Sequence, residues 1–448
     1  MIIKSLIILL TLFTFTKTIY AMEEKEIHSF ISNKYNIAIN LNNDRFQYLL
    51  GSAYLQGSDF QKDITKGLKF LKASADQGND FAYNSLGLLY DFGNEKINID
   101  KEKALYFYKL GVEKGNKYSL YNLGLFYFNG VIVSKDLNQA LKLFNLSAMQ
   151  GYDLAQNDLG TLYENGQGLE QSYNKAFKYY KLAADQGLDL AQNNLGLLYQ
   201  NGLGTTKNIK KAMRMFLSAS SSGNMNATFN LAMMHQNILR TKKDLKKATN
   251  LLKIGIQKSH LPSINNLGYN YSKGISVKKD IKEAIRLYKI ASDKGYKISQ
   301  HNLAEHYILG KGIQKNIQKG LGLYIKSAQQ NYAPAQYNLS VLYLDGIDVP
   351  KNIKKGLKYL KMAVKQNLGA AQYNMGNLYD IGLEIPQDMK KAIYYYKLAS
   401  DNNVAKAQYN LGWIYSKGKS VKKNKSLAKK YYSLATQNGH IQSHTNLA

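Results

Sequence analysis

The chain of 448 residues contains no cysteine, only four prolines, one tryptophan and few carboxylates: 31 Asp+Glu against 60 Lys+Arg, a formal charge of +29. Without cysteine there are no disulfide staples, Cys-ligated zinc, iron–sulfur clusters or thiol nucleophile. Arginine is scarce as well. Only Arg45, Arg214, Arg240 and Arg286 accompany 56 lysines. Arginine is the favoured fork for phosphate and guanine, so this skew argues against a nucleic-acid partner. What is abundant is apolar and aromatic: a hydrophobic fraction of 45% with 36 tyrosines and 15 phenylalanines excludes wholesale disorder. Length alone suggests about three domains.

Residues 1–21 read as a secretory signal peptide. Lys4 supplies the positive start, Ser5 to Thr16 an apolar run, and Ala21 the small residue before the cut. The run is short for a membrane span, which needs roughly 20 residues, and no later segment comes close. The expectation is a cleaved, secreted or periplasmic product with no transmembrane segment.

A leucine (once a methionine) followed by a small residue recurs from Leu50-Gly51 and Leu86-Gly87 through Met375-Gly376 to Leu447-Ala448, at a spacing of 36 with a single step of 37. Three residues after the small residue comes tyrosine, from Tyr54 to Tyr415, with His235 as the exception. Three further on comes glycine, from Gly57 to Gly418, with Ile238 as the exception. Such a register marks repeat architecture. Each unit predicts two helices. The second starts at a fixed N-cap position occupied by Asp63, Asp100, Asp136, Ser172, Asn208, Asp244, Asp280, Asn316, Asn352, Asp388 and Asn424. It ends at Gly, Asn or Ser, from Gly78 to Gly439, as a left-handed turn prefers. Pro262 and Pro334 share a register at the start of the first helix. Pro350 and Pro386 share another, two residues before the second cap, and neither breaks a helix interior. The predicted fold is an all-α solenoid: 22–45 as a lead-in, 46–442 as eleven helix-turn-helix units, and 443–448 as an incomplete twelfth.

The strings AQNNLGLLYQNGLG (191–204), AQYNMGNLYDIG (371–382) and KAFKYYKLAADQG (175–187) resemble the Sel1-like repeat family, a relative of tetratricopeptide repeats. The resemblance implies a right-handed superhelix acting as a protein-protein adaptor, with exported bacterial members serving as periplasmic or host-directed scaffolds. It also implies a second reading, because cysteine-rich relatives have been suggested to be antibiotic-hydrolysing envelope enzymes. Those relatives pair cysteines in each unit, and this chain has none.

Apparent catalytic motifs dissolve into the register. His301, Glu305 and His306 resemble a zinc-peptidase helix, but the histidines are five apart rather than four. The stretch from Gly412 to Ser420 resembles a phosphate loop but has one residue too many between its glycines. Acidic residues such as Glu164 and Asp345 fall at loop-proximal registers, one per unit at most, so no general acid/base pair follows from their spacing. No cofactor or metal is implied. Lysine pairs such as Lys278-Lys279, Lys354-Lys355 and Lys422-Lys423 fall near the start of second helices. Two readings of them stand: a solvated surface, or a footprint for acidic partners such as anionic lipids or envelope polyanions.

In stacked helical pairs one helix of each unit lines a groove. Three residues before the small residue stand His301, Tyr337, Tyr373 and Tyr409. One residue after it stand Tyr269, Glu305 and Trp413. These registers are four apart and share a helix face. Tyr and Trp are favoured at interface hot spots, so these seven residues are the expected binding site for an extended peptide or partner helix.

Overall fold

The computed structural model of the protein describes residues 24–35, 41–57 and 61–446, so the signal-peptide reading and the last two residues lie outside the described part. Among the described residues there are 23 α-helices, one π-helical turn, one 3-10 helix and no strand. The chain is an all-α solenoid.

The eleventh unit shows how sequence sets the fold. Its first helix, Ala405–Lys417, stops at Gly418, whose φ of 73° lets its N–H reach the Ile414 carbonyl. Six residues on, Asn424 takes an extended backbone, and its side chain accepts from the Leu427 N–H at 2.9 Å, opening the second helix, Lys425–Gln437. The Asn424 N–H donates back to the Tyr415 carbonyl at 3.0 Å. That bond recurs from Asp63 to Tyr54 at 2.9 Å and from Asp388 to Tyr379 at 2.9 Å, so the repeating tyrosine fixes the loop length through its backbone as well as its ring.

In most units the small residue of the first helix receives an aromatic ring of the second; at Gly51 it receives Leu71. A Cβ on Gly412 would lie 2.7 Å from the Tyr432 ring, and one on Gly87 only 2.4 Å from that of Tyr108. Tyr108, Tyr180 and Tyr396 are fully buried, and each hydroxyl donates to a carboxylate of its own first helix: Asp91 at 3.2 Å, Glu164 at 2.6 Å and Asp380 at 3.2 Å. Glu164 is thus the partner of a core tyrosine. The repeating tyrosine is stacked on the preceding aromatic, as in Tyr379–Tyr395 (5.8 Å between centroids, 1° between planes) and Tyr415–Tyr431 (5.8 Å, 4°). Its other side meets a lysine from the first turn of the second helix: Lys391 lies 5.2 Å from the Tyr379 centroid and Lys355 5.5 Å from that of Tyr343. Cations there oppose the helix dipole, and the ring face supplies a compensating attraction.

The chain forms two compact units, Met1–Ala227 and Thr228–Ala448. In the first, helix Glu24–Tyr35 within the lead-in packs Ile27 and Ile31 against Phe46, Leu50 and Tyr54. The charge is divided unevenly. Residues 1–227 carry 24 Lys+Arg and 20 Asp+Glu, a net +4; residues 228–448 carry 36 and 11, a net +25.

The sixth repeat departs from the pattern, and the expected cap at Asp244 is corrected. Helix Met225–Met234 runs into a π-helical turn, His235–Leu239, and Arg240 (φ 58°) takes the left-handed position. Thr241 then caps a sixteen-residue helix, Lys242–Gln257, accepting from the Asp244 N–H at 3.1 Å. With Ile238 where glycine would end the first helix, the backbone coils on for two residues until a left-handed turn closes. Asp244 is left inside the first turn, 2.9 Å from Nδ1 of buried His235.

Ile441–Asn446 forms a 3-10 helix, with His440 Nδ1 2.9 Å from Ser443 Oγ.

Candidate interaction face

Within the second compact unit the first helices Leu261–Lys273, Lys297–Leu309, Ala333–Asp345, Gly369–Ile381 and Ala405–Lys417 carry the seven expected site residues. The register before the small residue is half-buried. His301 packs on Tyr324 (5.4 Å) and Tyr332 (5.3 Å), and its Nδ1 is buried without a hydrogen bond within the protein. Burial holds its pKa below 6.5, with Glu305 pulling the other way. Tyr373 packs on Tyr396 at 5.9 Å; Tyr409 packs on Tyr432 at 5.7 Å and stacks on His440 at 4.4 Å. The hydroxyls reach the next unit: Asn374 donates to Tyr337 at 3.1 Å, and Asn410 hydrogen-bonds Tyr373. Burial pushes both phenols up. These rings join neighbouring units while showing solvent an edge.

The second register points outward. Tyr269 is 42% and Trp413 39% exposed, and Glu305 is also exposed. Lys419 lies 5.4 Å from the Trp413 centroid and is held there by Asp380 at 2.9 Å, the carboxylate that also accepts from Tyr396. Trp413 is thus fixed on one side and open on the other. Tyr269 and Glu305 line a cleft of about 90 Å³ between two neighbouring first helices, with Lys273, Asn302, His306 and Lys311. Beneath it lies Tyr288, its phenol raised by burial and by Glu305. The two histidines of the metal-like motif diverge: His306 Nδ1 meets the Lys311 carbonyl at 2.6 Å, while His301 sits among tyrosines. The five helices carry four lysines and three carboxylates. The face is therefore aromatic and nearly neutral.

One set of residues escaped the sequence reading: the glutamine three before the leucine or methionine of the leucine-small pair. Gln156, Gln300, Gln336, Gln372 and Gln408 are buried. Gln336 and Gln408 donate to carbonyls of the preceding second helix, Ala328 and Ser400, both at 3.1 Å. Each then accepts from an amide at the end of its own second helix, Gln366 at 2.6 Å and Asn438 at 3.0 Å. The recurring Ala-Gln dipeptide was the available signal.

Comparison with known proteins gives the Sel1 repeat as the matching family, over residues 45–79, 80–116, 117–152, 153–188, 189–224, 226–260, 261–296, 297–332, 333–368, 369–404 and 405–440. Among solved structures the chain is similar to c5321, a protective antigen present in uropathogenic Escherichia coli strains with an SLR fold. They are 28% identical, covering 94% of this chain and 89% of that one, with a TM-score of 0.54. A Sel1 repeat protein from Oxalobacter formigenes is 24% identical over 77% of this chain and 89% of its own, TM-score 0.38. The immunity protein Pa5087 from Pseudomonas aeruginosa is 20% identical over 48% and 81%, TM-score 0.37. No curated protein matches. Eleven repeats that match one family model from residue 45 to residue 440, each a helix pair with a small residue packed against a large one, show that the chain belongs to the Sel1 repeat family.

Proposed function

We propose that the protein is an exported, non-catalytic scaffold that captures a protein partner on the first-helix face of residues 261–417. Sel1 repeat proteins are in general protein-interaction scaffolds and typically non-catalytic. The observation that carries the site is the exposed set Tyr269, Glu305 and Trp413, standing on a row of half-buried rings whose positions are fixed by inter-unit bonds. Rigid aromatics lose little side-chain entropy on binding, and the near-neutral face favours a partner read by shape over one drawn by charge. The signal-like residues 1–21 support export, and the likeness to a protective antigen is in keeping with a location outside the cytoplasm.

The test is capture from envelope extract by the immobilised protein. The combined variant Trp413→Ala, Tyr269→Ala and Glu305→Ala is expected to lose the captured protein with its circular dichroism unchanged. Undiminished capture would remove the face from consideration. Tyr373 and Tyr409 are left out because their loss would loosen the stack.

A further inference from the structure

Besides the π-turn of the sixth repeat, two inter-helix loops of the second compact unit depart from the ordinary form. In the ordinary loop the residue after the cap glycine bonds back to the first helix, as Leu203 does to Leu198 (3.1 Å), Ile275 to Asn270 (2.9 Å) and Lys419 to Ile414 (3.1 Å). The next residue is left-handed, as at Gly204, Ser276 and Ser420. The loops containing Pro350 and Pro386 have neither feature. A residue before proline is confined to extended backbone, which applies to Val349 and Ile385. In the first of these loops Val349 turns into the core at 7% exposure while Ile347 turns out at 84%; in the second Leu383 is 80% exposed. Leu203 and Ile275, at the same register, are only half-exposed.

The two tips lie on one edge. Lys315 pairs with Asp348 at 2.9 Å and Lys351 with Glu384 at 2.6 Å, each bridging one loop to the next and neutralising the carboxylate beside a tip. At the tips' own register the flanking units carry Lys311 and Lys419, and exposed Lys422 and Lys423 follow in the last loop. The whole unit is strongly basic, as described above.

We propose that this loop edge docks on an anionic phospholipid bilayer, with Ile347 and Leu383 entering the headgroup–acyl boundary and the flanking lysines meeting headgroup phosphates. Aliphatic tips bordered by lysines satisfy both terms of interfacial binding. A soluble acidic polymer would meet the charge but offers nothing to two fully presented aliphatic side chains. Lysine suits a headgroup array, which demands charge without forked geometry. The tips Ile347 and Leu383 are none of the seven residues of the first-helix face, although Lys311 and Lys419 border both surfaces.

The absence of cysteine allows single-site labelling of the full chain. Ile347→Cys and Leu383→Cys, each carrying an environment-sensitive fluorophore, are expected to shift to the blue with phosphatidylcholine vesicles containing phosphatidylglycerol. They should not shift with phosphatidylcholine alone. Gln167→Cys, at the same loop register in the first compact unit, should show no shift with either. The double variant Ile347→Asn, Leu383→Asn should lower vesicle affinity roughly tenfold with helicity unchanged. Silent probes at 347 and 383, an equal shift at 167, or binding of polyglutamate with no response to vesicles would each overturn the proposal.

Discussion

The eleventh and sixth units have the same period and bury the same kinds of side chain, yet they join their helices differently. The eleventh uses a seven-residue linker, 418–424, between two thirteen-residue helices. The sixth has a two-residue linker, Arg240 and Thr241; the other five residues are coiled into the π-turn and the longer second helix. Its core is intact: Ala232, Ala248, Leu252 and Leu267 are buried together. The packing of small residue against large one is therefore what makes a unit, and the loop is free to vary. That freedom is what lets the Pro350 and Pro386 loops present Ile347 and Leu383.

The strongest way to break this comparison is to attack the packing that both units share. Gly87→Ala adds a methyl 2.4 Å from the Tyr108 ring, and such overpacking should cost about 3 kcal/mol, read as a lower urea midpoint. The sixth unit solves the same contact with Ala232 and Leu252 at the equivalent registers, so the added change Tyr108→Leu should recover most of the loss. A Gly87→Ala protein as stable as the parent would show that the ring does not need the glycine.

A smaller effect separates the two units. His235 fills the tyrosine register at 3% exposure and bonds Asp244. His235→Ala should cost about 2 kcal/mol through a cavity and a carboxylate deprived of its partner. Hydrogen exchange should speed up across 235–245 and stay unchanged in the eleventh unit. Uniform acceleration would mean the π-turn is not an independent device.

The legible parts of the fold were those in which one residue type does one backbone job. Left-handed φ at Gly78, Ser259 and Asn403, and caps at Asp63 through Asn424, followed from the register. The cap at Asp244 did not, because Thr241 became available only once the missing glycine had let the first helix continue, a non-local consequence. The face was half legible. The register placed His301, Tyr337, Tyr373 and Tyr409 on one side, but periodicity is blind to where a hydroxyl ends, so their bonds to the next unit were invisible. The glutamine ladder was missed for a related reason: a recurring Ala-Gln dipeptide does not say that the amide satisfies carbonyls left at helix ends.

His301 offers a milder test in acid. Its native pKa is lowered, so the unfolded chain binds more protons and stability rises with pH. Stability is complete well above 6.5 and falls as pH drops through that value. His260 has the same sign. His301→Tyr, the residue its register carries at 337, 373 and 409, should reduce the loss of melting temperature between about pH 7.5 and about pH 5.5, with His260 supplying what remains. An unaltered slope would place the titration elsewhere.

The smallest expected change repairs a rung. In the fifth unit Gln192 is 8% exposed and its Oε1 accepts no hydrogen bond within the protein. The equivalent Gln156 receives one from Gln186 at 2.8 Å, and Gln300 one from Gln330 at 2.8 Å. The residue that should donate is Ser222, at the end of helix Ile209–Ser221, too short to reach. Ser222→Gln should supply the donor and raise stability by about 1 kcal/mol. Ser222→Met, of similar length but without an N–H, should give none of it. Equal gains from both would mean that covering the helix end with a longer side chain matters, and the amide does not. A gain confined to glutamine would show that the ladder contributes unit by unit, as nearest-neighbour coupling in a solenoid requires.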